Sequence, residues 1–102
     1  MAFVQIIEFS VENIDDVKAL DQEWLAATEG KRTVRRQLIG ADRDQPGHYV
    51  AILEFDSADD AAANADLPET LSYGEKFFDL CTTAVHARNL DVVDTYVAGA
   101  PG

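Results

Sequence analysis

Two stretches of this chain are apolar on both faces of a strand. In His48-Tyr49-Val50-Ala51-Ile52-Leu53-Glu54-Phe55 the odd positions are apolar or aromatic, and Val50 and Ile52 add apolar groups at even positions. Successive strand side chains point to opposite faces, so this strand needs cover on both sides. Residues 3–9 repeat the pattern, with Phe3, Ile7 and Phe9 in one phase and Val4 and Ile6 in the other. Asn13 then offers a helix N-cap, with Asp15 and Asp16 in the first turn. Ile14, Val17, Leu20, Trp24 and Ala27 recur at three- and four-residue steps, which predicts an amphipathic helix that Gly30 stops. Residues 32–43 read as a second strand. Asp44-Gln45-Pro46-Gly47 reads as the turn of a hairpin to the third, because proline presets φ and glycine permits positive φ.

Ser57 caps the next predicted helix, with Asp60 at its third position. Residues 58–65 are almost all alanine, asparagine and aspartate. Leu67-Pro68-Glu69 interrupts them, and Pro68 suits the first turn of a new helix. That helix carries Leu71, Gly74, Phe77, Phe78 and Cys81 on or near one face. Residues 83–90 alternate weakly and read as strand four, which Asp91 to Tyr96 could extend. The order β-α-β-β-α-β predicts a ferredoxin-like α+β fold with an antiparallel sheet, both helical regions on one face, and strands two and four at the edges. Residues 1–97 read as one domain and 98–102 as a flexible tail. The helices can cover one sheet face. The other is expected to meet a second copy of the chain, giving a homodimer whose sheets face each other.

Composition narrows the partners. Nineteen carboxylates against eight Lys and Arg give a net charge of −11, a field that opposes nucleic acid and anionic membrane surfaces. The N-terminal apolar run lacks a basic start and is interrupted by Glu8, so no secretory leader is expected and the cytoplasm is the expected setting. No segment is long enough to span a membrane. Cys81 is the single cysteine, which excludes an internal disulfide and is expected to pack as a small apolar group.

Few residues suggest chemistry. His48 reads as an exposed hairpin residue; His86 lies mid-strand and could face a pocket or the dimer seam. Two histidines without paired ligand spacing predict no metal site. The serines lack triad support, and no glycine-rich phosphate loop is present. Trp24 lies on the first helix's apolar stripe, where core packing is the simplest role. Gly74, beside Tyr73, costs helix stability and so points to close approach of another element or a ligand. Five of the eight basic residues fall at Lys31, Arg32, Arg35, Arg36 and Arg43. They either protect an edge strand from unwanted pairing or offer Arg35 or Arg36 to an anionic group.

Phe55-Asp56-Ser57, Leu67-Pro68-Glu69-Thr70 and Tyr73-Gly74-Glu75 resemble the dimeric α+β barrel superfamily, in its antibiotic-biosynthesis monooxygenase-like and stress-responsive A/B barrel branches. The spacing is also distantly similar to the plant polyketide cyclase olivetolic acid cyclase. The resemblance implies a pocket between sheet and helices, with its groups falling on Gln5, Tyr49, Asn64 and Thr70. It also implies Trp24 and Asn64 as the counterparts of a Trp and an Asn used by cofactor-free oxygenases. The cyclase pattern has His and Tyr where Thr70 and Asn64 stand, and neither Thr nor Asn titrates near neutral pH. The expected pocket set is Gln5, Trp24, Tyr49, Asn64, Thr70, Tyr73 and His86, with no metal and no cofactor. The expected ligand is a hydrophobic small molecule, aromatic or polyketide-like. The expected role is cofactor-independent monooxygenation, with non-catalytic binding or scaffolding and cyclase-like chemistry as alternatives.

Overall fold

Backbone hydrogen bonds begin where the caps predict. The Asn13 side chain accepts from Asp15 N at 3.0 Å and the Ser57 hydroxyl from Asp60 N at 3.1 Å, so each helix start satisfies one of its orphan donors. In the computed structural model, which describes residues 1–99, the described elements run β1 (Phe3–Ser10), α1 (Ile14–Ala27), β2 (Arg36–Ala41), β3 (His48–Phe55), α2 (Ala58–Asp66), α3 (Pro68–Leu80) and β4 (His86–Asp91). Pro68 opens α3, where its missing N–H costs nothing. Gly47, at φ +84°, closes the hairpin between β2 and β3 in a conformation that a side chain would strain.

All neighbouring strands are antiparallel in the order β2-β3-β1-β4, a ferredoxin-like α+β fold with β2 and β4 at the edges. Phe9 lies opposite Tyr49, and Ile7 lies between Ala51 and Ala87. These residues belong to the face that packs against the helices, where Phe9, Val11, Val17, Leu20 and Phe77 form the buried cluster. The alternate phase carries Val4, Ile6, Val50, Ile52, Leu38 and Leu90, and none of these joins that cluster. Leu38 and Leu90 remain 38% and 44% exposed.

Strand two is shorter than its sequence predicts, Arg36–Ala41 rather than 32–43. The preceding residues are drawn to the helices instead. Arg32 Nη1 donates to Leu25 O at 2.7 Å, and Thr33 Oγ1 donates to Asp60 O at 2.6 Å. Strand four also starts later than residue 83. The chain first meets the end of β1 through a lone Val11–Cys81 bridge and a Thr82 N to Ser10 O bond at 2.9 Å. The strand ends at Asp91 rather than running on to Tyr96, although Val92 N still bonds Ala2 O. Beyond it Val93, Tyr96 and Val97 are exposed. Of the expected flexible tail, residues 100–102 lie outside the described residues. No described helix is long and apolar enough to cross a membrane.

Candidate functional site

A row of rings crosses from helix to sheet. Trp24 on α1 meets Tyr73 on α3 edge-on, at 6.4 Å between ring centres. Tyr73 stacks on Phe77 at 5.8 Å, Phe77 meets Phe9 edge-on at 4.9 Å, and Phe9 stacks on Tyr49 at 5.8 Å. Such offset and edge-on pairs add to simple area burial. Beside this row, between the helices and the sheet, lies a cavity of about 300 Å³. Its wall is mostly apolar, with Ile7, Phe9, Leu53, Phe55, Phe77 and Phe78 contributing. Gly74 also lines it, and a Cβ built there meets nothing within 4 Å. The glycine therefore borders open space rather than another element.

The polar groups of the wall are held by specific bonds. Tyr73 OH donates to Asp21 Oδ1 at 2.6 Å, and Trp24 Nε1 donates to Thr70 Oγ1 at 3.0 Å. Asn64 is only 5% exposed, and its Oδ1 accepts from Thr33 N at 3.3 Å. That bond fixes which end of the amide is the oxygen and leaves the amino group as donor. Gln5 Nε2 donates to Asn89 Oδ1 at 3.3 Å. Asp21 is the only charged residue among the described residues of the wall. Burial raises its carboxyl pKa above the ordinary value, partly offset by the Tyr73 hydrogen bond. Burial also raises the Tyr73 phenol, and the Asp21 carboxylate raises it further, so Tyr73 stays a proton donor at any physiological pH.

Five of the expected pocket residues, Gln5, Trp24, Asn64, Thr70 and Tyr73, do line this one cavity. Tyr49 and His86 do not. Tyr49 belongs to the helix-side face but lies against Phe9 and borders a separate outer depression. His86 is opposite Glu8, in the phase that faces away from the helices. His48, expected to be exposed, is half-buried. Its Nδ1 is 3.2 Å from Ser10 Oγ, and its Nε2 is 3.8 Å from Glu8 Oε1. Among the described residues no cluster of His, Cys, Asp and Glu is arranged to hold a metal. The Cys81 thiol is pushed up by burial and donates to Phe77 O. Of the basic segment, Lys31 pairs with Glu69 at 3.1 Å, Arg35 with Asp56 at 2.9 Å and Arg36 with Glu54 at 3.6 Å, while Arg43 makes no ion pair among the described residues.

Asp21 and Gln37 are cavity residues that the sequence reading missed. The signal for Asp21 was present. It sits four residues after Val17 and three before Trp24, so a carboxylate interrupts the buried stripe of α1. Gln37 sits on the edge strand, where nothing in the sequence distinguishes it.

No protein-family profile matches the sequence, and no curated protein matches it. Solved structures do. SnoaB from Streptomyces nogalater, described as a cofactor-independent oxygenase, superposes with a TM-score of 0.76 at 16% identity, covering 92% of this chain and 95% of that one. Rv0793 from Mycobacterium tuberculosis gives 0.75 at 19% identity, over 95% of this chain and 100% of that one. A structure described as an antibiotic biosynthesis monooxygenase gives 0.72 at 19% identity, over 92% and 100%. The four antiparallel strands, the helical layer on one face and these superpositions together give the chain a ferredoxin-like α+β fold, the fold it shares with these structures.

Proposed function

We propose that the protein binds a hydrophobic, aromatic small molecule between its sheet and helices and oxidises it with dioxygen without a bound cofactor. The observation that carries this reading is the cavity itself: about 300 Å³, walled by aromatic rings, with a few held polar groups at Gln5, Asn64, Thr70 and Tyr73. Ligand sites are commonly of this size and character, with a small number of polar groups fixing orientation. The likeness to SnoaB, described as a cofactor-independent oxygenase, supports the reaction class. In such a reaction the substrate supplies the electrons, so the chain has only to orient it and handle its protons. With anthrone as the trial substrate the balance closes. One dioxygen converts the ring methylene to a carbonyl, and the second oxygen leaves as water with the two methylene hydrogens.

Dioxygen uptake with a panel of anthrones and quinols is the direct test. The expected result is enzyme-dependent uptake with quinone formation. Binding of these compounds without uptake would leave a non-catalytic binding protein and sink the oxygenase reading. A second part of the same proposal is a homodimer that covers the open sheet face. Val4, Ile6, Val50 and Ile52, with Leu38 and Leu90 exposed beside them, form an apolar strip that an identical strip complements. Light scattering at micromolar concentration is expected to give twice the chain mass. A single-chain mass would remove the dimer from the proposal. The domain limits 1–97 and a cytoplasmic setting belong to this proposal as well.

A further inference from the structure

The cavity wall holds one ionisable carboxylate and, among its described residues, no cation to neutralise it. Asp21 is fixed on one side, where Oδ1 accepts the Tyr73 hydroxyl at 2.6 Å. Its other oxygen has no hydrogen-bond partner among the described residues. Asp21 also occupies a boundary. Besides the cavity it lines a more open outer depression formed with Ile14, Lys18, Gln37 and Tyr49. A carboxylate that touches both an apolar interior and a surface hollow can take a proton inside and release it to water outside.

The groups around it are few. On its own helix Lys18 is one turn away, and its ammonium lies 3.8 Å from Asp15. From α3 comes Tyr73, held protonated. From the sheet come Gln37, which is neutral, and Tyr49. Gln37 has no titratable group, and Asp21 is the one carboxylate among the described residues of the wall. Tyr73 fixes the carboxylate's orientation and does not exchange its own proton.

We propose that Asp21, oriented by Tyr73, is the proton acceptor of the cavity, taking a proton from an acidic C–H of the bound ligand. The inference rests on the aromatic-ligand reading above and adds the group that starts the chemistry. In the step, a ligand C–H bond breaks and its electron pair stays on the ligand as a ring-delocalised enolate. The proton forms a new O–H bond on Asp21, which becomes the neutral acid. The enolate is then the species that dioxygen oxidises. Tyr73 is a positioning residue in this scheme. A general base of this kind contributes on the order of a hundredfold or more to such a proton transfer.

The test separates binding from proton transfer. Binding is read with alizarin, a hydroxyanthraquinone that has no methylene to lose, through quenching of Trp24, the chain's single tryptophan and part of the cavity wall. Proton transfer is read as deuterium exchange into the anthrone methylene in deuterated buffer without dioxygen. Wild-type protein is expected to bind alizarin and to accelerate exchange over buffer alone. Asp21→Asn is expected to bind alizarin within about threefold of wild type and to lose exchange by about a hundredfold, with Asp21→Glu recovering part of it. Exchange by Asp21→Asn at the wild-type rate overturns the proposal. So does alizarin binding by wild type without accelerated exchange, which leaves the binding reading standing. Failure of wild type to bind alizarin at all removes both. Should Asp21→Asn not fold, the wild-type pH profile decides. Catalysed exchange must rise along one ionisation in the carboxylic-acid range, and a flat profile there refutes the assignment.

Discussion

Replacing Gly74 with alanine should make the protein more stable and a poorer binder at once. Gly74 is in the interior of the thirteen-residue helix α3. Glycine there costs about 0.8–1.0 kcal/mol relative to alanine, because it gives up more backbone freedom on folding. A substitution can recover that amount only if the new methyl meets no obstacle, and a Cβ at this position has no neighbour within 4 Å. The expected gain is therefore about 0.5–1 kcal/mol. For a domain of this size a gain of 1 kcal/mol raises Tm by about 4–8 °C. The open space the methyl enters is the cavity, which Gly74 lines. A methyl-sized intrusion into an apolar site costs about 1 kcal/mol of binding or more, roughly five- to tenfold in Kd. Thermal unfolding with and without alizarin reads both effects in one experiment. A lower Tm for Gly74→Ala would mean that the helix needs glycine for close packing, and the reasoning fails. A higher Tm with undiminished binding would place the ligand elsewhere.

Other perturbations probe separate parts of the structure. Thr70→Val removes the acceptor of the Trp24 indole N–H, a bond of 3.0 Å to a ring only 7% exposed. It should cost about 1–3 kcal/mol in urea unfolding, and a cost indistinguishable from zero would mean the indole finds another partner. Ile52→Glu puts a charge at the centre of the open face, between Ile6 and Leu38. Sedimentation should show a folded single chain, and an unchanged dimer would place the interface elsewhere. Two carboxyls should respond to acid in opposite senses. The Asp21 pKa is raised in the folded protein, so its burial penalty is full above the folded pKa and is relieved as pH falls towards the unfolded value of 3.8. The Glu69 pKa is lowered, first by its Lys31 hydrogen bond, so its stabilisation is present above 4.5 and lost as pH falls through the folded pKa. Urea midpoints from pH 7 down to pH 3 should therefore fall less steeply for Glu69→Gln than for wild type, and more steeply for Asp21→Asn. Identical slopes for all three would refute both assignments.

Most of the fold is legible because its signals are local. Asn13, Ser57 and Pro68 mark helix starts by backbone chemistry that depends on immediate neighbours, and the Pro46-Gly47 turn sets the hairpin in the same way. The limits of β2 are not legible, since Arg32 and Thr33 leave the strand for partners on α1 and α2 that lie far away in sequence. The same distinction divides the site. Alternation says that Tyr49 and His86 each share a face with every second neighbour. It does not say which of two apolar phases the helices cover, and a one-residue change of phase moves every side chain across the sheet. Phase puts His86 on the outer face. For Tyr49 the phase is right, but its distance along the strand sets it against Phe9 and outside the cavity. Asp21 was visible as a polar break in an apolar stripe. Its pairing with Tyr73, 52 residues later, is a property of the packed helices alone.

The two faces of the sheet meet the same problem with different means. On the helix side, bulky rings set the spacing. Trp24, Tyr73 and Phe77 stand between the helices and the strands, so the helical layer is held off Gln5, Leu53 and Phe55 and a cavity is left beneath it. Filling that space with larger side chains would bury more apolar surface, yet the chain places Gly74 and Ala61 there instead. A hollow core costs packing energy, about 24 cal/mol for each Å³ in a well-studied leucine-to-alanine series. On the open side Val4, Ile6, Val50 and Ile52 make an aliphatic centre, with Glu8, Arg36, Glu54, His86 and Arg88 in the same phase around it. One face thus leaves room beneath the helices, and the other presents the aliphatic strip that the proposed homodimer would cover. β1 and β3 contribute alternate residues to both, Ile7 and Phe9 inward and Ile6 and Glu8 outward. Packing a second sheet against the outer residues would stiffen the floor of the cavity without reaching into it. In such an assembly the helices, rather than the sheet, are the wall that must yield when a ligand enters.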